Sequence, residues 1–118
     1  MQQIAHKAYG DVANRTADDR QVELTLFKQI TAALEAVAAS ENPSASERAE
    51  AVSRNLELWS TLAVDIAHPE NGLSQDLKGG LLYLAEFTRR TGMTILTDGD
   101  AKIEDLIEIN NSVIGGLA

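Results

Sequence analysis

Apolar residues return at three- and four-residue steps along most of this chain, and no stretch shows the alternation of a strand. Val22, Leu26, Ile30, Ala33 and Val37 line one face, widened by Phe27 and Leu34, which predicts a helix over residues 18–39. Its end is expected in Ser40-Glu41-Asn42-Pro43, because proline disfavours the helical conformation of the residue before it. Ser44 with Glu47 three residues on is a reciprocal capping pair for a second helix. There Val52, Leu56, Trp59, Ala63 and Ile66 advance like the seam between packed helices, with Leu58 and Leu62 beside them. Pro69 ends that helix, and Asn71-Gly72 supplies a turn that uses glycine's freedom at positive φ.

Ser74 is expected to cap a third helix, with Asp76 in its first turn and Leu77, Leu81, Leu84 and Thr88 on one face, Leu82 and Phe87 close by. Gly79-Gly80 should interrupt it, as a soft point or a place where another helix comes close. Residues 97–100 are turn chemistry. Ile103, Leu106, Ile107, Asn110, Val113, Ile114 and Leu117 define an amphipathic C-terminal helix whose Gly115-Gly116 end should fray. Ile109 lies off its main stripe. Ile4, Ala8, Tyr9 and Val12 can form a short first helix within residues 1–17, an N-terminal segment expected to be free to move. The fold expected is all-α: a single domain over residues 1–118, packed as a small bundle of four to five helices.

Charge and composition narrow the function. A net charge of −8 repels phosphate backbones and anionic lipid, so neither direct nucleic-acid contact nor membrane insertion is expected. The imbalance is concentrated beyond Arg54, where ten acids face four bases. With no cysteine, thiolate metal sites and cysteine nucleophiles are excluded. The beginning of the chain lacks the apolar run of a signal peptide, and the protein is expected to be cytoplasmic.

Little here resembles catalytic machinery. His6 and His68 sit in separate elements, His68 before a helix-ending proline where an imidazole can help cap last-turn carbonyls. Glu104, Asp105 and Glu108 read as the wet face of an amphipathic helix. Neither glycine pair follows a strand or carries the lysine of a phosphate-binding loop. No enzyme, metal or cofactor is expected. Asp65, near one edge of the Trp59 face, reads as a buried polar tie, its carboxylate placed to bond donors of a neighbouring loop such as Asn71. Trp59 serves as either the largest core anchor or a partner contact. The C-terminal helix either stays docked or vacates a groove for a partner's helix.

Tyr9, Arg20, Glu23, Phe27, Thr31, Ala33 and Leu34, then Asn55-x-x-Leu58-Trp59-x-x-Leu62-Ala63-x-Asp65, Pro69-x-Asn71-x-Leu73, and Leu106-Ile107-Glu108-Ile109-Asn110 with Ile114 and Gly116-Leu117 follow in an order that resembles the FlaF-type flagellar regulators of alphaproteobacteria. The resemblance covers almost the full length. It departs at Gly79-Gly80, where the family pattern has a basic residue and an alanine. Such proteins are needed for flagellin production and filament assembly, act opposite to a regulator called FlbT, and look like cytoplasmic chaperones that hold flagellin before export. The resemblance therefore implies a flagellin-binding chaperone that takes the helical terminal segments of flagellin, with FlbT and the export apparatus as further partners. Its alternative is a regulator of flagellin messenger RNA acting through a partner such as FlbT. The partner surface is expected on Leu58, Trp59, Leu62, Ile66, Ile103, Leu106, Ile107, Asn110 and Ile114, along a groove of the Trp59 helix and the C-terminal helix, with Asn55, Asp65 and Asn71 as structural polar ties.

Overall fold

A computed structural model describes residues 17–97 and 102–117, with side chains over 21–97 and 102–116; the expected first helix and the turn at 98–100 lie outside them. Four helices follow one another: α1 Ala17–Ala39, α2 Ala45–Ala67, α3 Gln75–Thr97 and α4 Ile103–Leu117. The described residues contain no strand. A helix of 23 residues spans about 35 Å, which fits the long axis of a body measuring 46 × 24 × 22 Å. Each helix packs on its chain neighbours, and α1 also packs on α4, closing a four-membered ring.

Local chemistry sets the corners. Ser44 adopts an extended backbone and its hydroxyl accepts from the Glu47 N–H at 3.0 Å, the serine half of the capping pair. At the end of α2 the Asp65 carbonyl accepts from both the His68 N–H and Asn71 Nδ2. Asn71 Oδ1 accepts in turn from the Leu73 N–H, and Gly72 takes φ 84°, the left-handed conformation expected of it. Asn71 thus bonds the main-chain carbonyl of Asp65 rather than the carboxylate anticipated from sequence. His68 does not cap a last-turn carbonyl with its ring; its Nδ1 accepts from the Glu70 N–H. Ser74 Oγ accepts from the Leu77 N–H and starts α3.

Inside the ring the core falls into two clusters. Leu34, Val37, Ala51, Val52, Ile95, Ile103 and Leu106 join the end of α1, the start of α2, the end of α3 and the start of α4. Phe27, Ile30, Leu58, Trp59 and Ala85 make the other, against which Ile109, Val113 and Ile114 of α4 pack. The pairing of ends with starts makes consecutive helices antiparallel, as loops of a few residues demand.

Four expectations shift. The buried face of α1 is centred on Phe27, Thr31 and Leu34, and leaves Val22 and Leu26 only half-buried. On α3 the buried residues are Ala85, Thr88, Gly92 and Ile95, whereas Leu77 and Phe87 are exposed. Gly79-Gly80 interrupts nothing: α3 runs through it, and a Cβ at either position would meet no atom within 4 Å. The close approach is at Gly92, where a Cβ would lie 2.7 Å from Leu56 Cδ2 on α2. The C-terminal helix likewise continues through Gly115 and Gly116 to Leu117.

Replacing Gly79 or Gly80 by alanine removes a backbone-entropy cost without a clash, and should raise unfolding free energy by about 0.5–1 kcal/mol each. Gly92→Ala must displace Leu56, and the overpacking should outweigh the propensity gain for a net loss of about 1 kcal/mol. Urea titrations of the three variants separate these effects.

Candidate functional site

Four polar residues, one from each helix, are fully buried between the two apolar clusters: Thr31 of α1, Asn55 of α2, Thr88 of α3 and Asn110 of α4. Asn110 is the hub. Its Oδ1 accepts from Trp59 Nε1 at 2.9 Å, while Nδ2 donates to Asn55 Oδ1 at 2.8 Å and to Thr31 Oγ1 at 3.1 Å. Trp59 is only 2% exposed and meets Phe27 edge-on at a centroid distance of 5.8 Å. The indole is therefore a core anchor with a polar handle, bonded to the diagonal helix.

This arrangement places the residues expected to form the partner surface inside the ring or half inside it. Leu58, Trp59, Ile66, Ile103, Leu106 and Asn110 are buried, and Leu62, Ile107 and Ile114 are half-buried against the core. The Trp59 helix and α4 are diagonal in the ring, so no surface groove runs between them. Asn55, Asp65 and Asn71 are all buried, at one polar layer and one helix end. Replacing Trp59 or Ile107 would probe stability before it probed binding.

Among the described residues, and with Val64 of α2 the exception, the exposed large apolar side chains lie on α3. Because its core-facing residues are as small as Ala85, Thr88 and Gly92, its bulky side chains lie on flanks and outside: Tyr83 is 71% exposed, Phe87 42% and Met93 45%. Two shallow grooves border this helix. Between α2 and α3, about 210 Å³ is lined by Leu56, Trp59, Ala63 and Leu82, together with Glu86 and Arg89. Between α3 and α4, about 360 Å³ is lined by Leu84, Phe87 and Ile109, with Asp105, Glu108 and Ser112 along the α4 wall.

The electrostatics of the first groove are internally satisfied. Glu86 bonds Arg89 at 2.7 Å and Arg90 at 3.2 Å, and the Arg89 hydrogen bond chiefly holds its carboxyl down at a pKa of about 2. The second groove has no cation among its lining residues. Sequence patterning assigned Phe87 to the neighbourhood of the core. The signal pointing outward was the i, i+4 pair Tyr83 and Phe87, in step with Gly80 on a row off the buried seam. Ile109, noted as off the α4 stripe, is the residue that faces it.

Among the described residues no group of three His, Cys, Asp or Glu side chains could hold a metal ion, and no helix is long and apolar enough to cross a membrane. Compared with known families, residues 5–117 match the family described as Flagellar protein FlaF. No curated protein and no solved structure matches.

Asn110→Leu deletes three buried hydrogen bonds and strands Trp59 Nε1, and should cost about 2–4 kcal/mol. Trp59→Phe keeps a ring but leaves Asn110 Oδ1 without its donor, for a loss of about 1–3 kcal/mol. Denaturant unfolding followed by circular dichroism measures both.

Proposed function

Since the chain belongs to the FlaF family of flagellar proteins, and so serves the flagellum, we propose that it is a non-enzymatic cytoplasmic chaperone that binds flagellin before export. The observation that carries this reading is the uncharged outer row of α3, Gly80, Tyr83 and Phe87, left exposed beside an apolar groove lined by the half-buried Leu84, in a protein of net charge −8. A soluble domain normally covers large apolar side chains unless something else binds them.

Flagellin's terminal segments are the fitting client. They stay disordered until polymerisation and then fold into amphipathic helices, whose apolar stripe a groove between two helices can shelter. Holding requires no bond chemistry and no cofactor, only burial that is reversible at the export apparatus. A role exercised on flagellin messenger RNA through FlbT is the alternative, and the acidic surface supports it less, because phosphate contact needs clustered Lys and Arg. Arg89 and Arg90, the one basic pair, are both held by Glu86.

Purified protein titrated calorimetrically with monomeric flagellin should bind at micromolar concentration, and Phe87→Ala should weaken that binding about tenfold with its helical circular dichroism intact. Absence of heat at these concentrations, with a gel shift on flagellin messenger RNA at moderate salt, would replace the chaperone reading by the RNA one.

A further inference from the structure

The two grooves bordering α3 differ in a way that identifies the chemistry of an occupant. At the α2/α3 groove the charges are already matched: Glu86 is pinned between Arg89 and Arg90 on the same helix. At the α3/α4 groove the apolar floor of Leu84, Phe87 and Ile109 is bounded on one side by Asp105 and Glu108, both exposed, with no Lys or Arg in the lining. Neither acid has an ion pair or a side-chain hydrogen bond to a described residue. A body that fills this groove brings its own side chains within a few ångströms of two carboxylates beside apolar surface, where a cation is favoured and an anion repelled.

Building on the chaperone reading, we propose that the α3/α4 groove is the seat of the client, and that the client segment is an amphipathic helix with an apolar stripe on Leu84, Phe87 and Ile109 and lysine or arginine on the flank facing Asp105 and Glu108. The shape is a trough between two antiparallel helices, which accepts a further helix by ridge-into-groove packing. An extended strand there would leave its backbone donors and acceptors unmatched, since both walls are helices whose own main-chain groups are paired. A Cβ at Gly79 or Gly80 would meet no atom within 4 Å, so these two positions add no bulk to the first half of α3. A second copy of this chain is a poor occupant: its own α4 is acidic on the same side, and pairing like walls sets carboxylates against carboxylates.

The seat is tested with two synthetic amphipathic peptides of about 20 residues, long enough to form a helix when bound. They share a leucine-alanine stripe at i, i+3, i+4 and i+7 and differ only in carrying lysine or glutamate on the flanks. Fluorescence anisotropy should show the lysine peptide binding roughly 5- to 30-fold more tightly than its twin, a margin that shrinks as salt rises to about 0.5 M. Phe87→Ala should weaken the lysine peptide at least about tenfold. Asp105→Asn with Glu108→Gln should erase the preference for lysine, and the Lys substitutions at the same two positions should invert it.

Equal binding of both peptides, or indifference to all of these substitutions, overturns the seat. If flagellin binds wild type and Phe87→Ala alike, the chaperone reading stands and the seat falls. If the lysine peptide behaves as described and flagellin does not bind, the seat stands and flagellin is not its client. A stable dimer in sedimentation that Phe87→Ala dissociates would make a second copy the occupant and overturn the proposal.

Discussion

The side-chain amide of Asn110 is the fixed point of this bundle. It reaches from α4 into the centre of the ring, accepts from an indole and donates to an amide and a hydroxyl, so that α1 and α2 together hold one group of α4. A buried amide with its partners satisfied in only one alignment defines the register of the helices around it, whereas the apolar clusters on either side would tolerate sliding by a turn. The layer of Thr31, Asn55, Thr88 and Asn110 divides the interior into two cores and makes α4 an integral wall. Pulling α4 away would strand Trp59 Nε1 and uncover Leu106 and Ile103, a cost that a reversible holding protein has no need to meet.

What the polar layer does inside, small residues do at its edge. Ala85, Thr88 and Gly92 form a thin core face on α3, and Gly92 lets Leu56 of α2 come within contact of the backbone. A thin face packs closely but hides few bulky side chains. Tyr83, Phe87 and Met93 consequently stand outside, and Phe87 lines the groove toward α4. Closed interior and open flank have the same origin. The binding surface follows from how the core is filled.

Much of this was legible in the sequence because it is local. Ser44, Ser74, Pro69 and Gly72 act within three or four residues, so the helix ends and corners follow from the chain alone. The all-α class follows from periodicity, and family membership from the ordered motifs around Trp59, Asp65 and Asn110. The rotation of each helix was not legible. Steps of three and four residues describe several adjacent rows equally well, and Leu77 and Phe87 look as core-worthy as Ala85 when neighbours are unknown. Hydrophobicity alone favoured the larger side chains, while the space between α2 and α3 admits the smaller. For the same reason the sequence leaves Trp59 and Leu106 as candidates for either core or partner contacts: an apolar seam looks alike whether it meets its own chain or another.

Hydrogen exchange on the free protein and on its complex with flagellin tests this account most directly. Amides in the middle of α4, from Leu106 to Val113, should remain among the slowest to exchange in both states, with local protection added on binding in the α3 segment around Tyr83 to Phe87. Loss of α4 protection in the complex, the mark of a helix that leaves to admit its client, would contradict it.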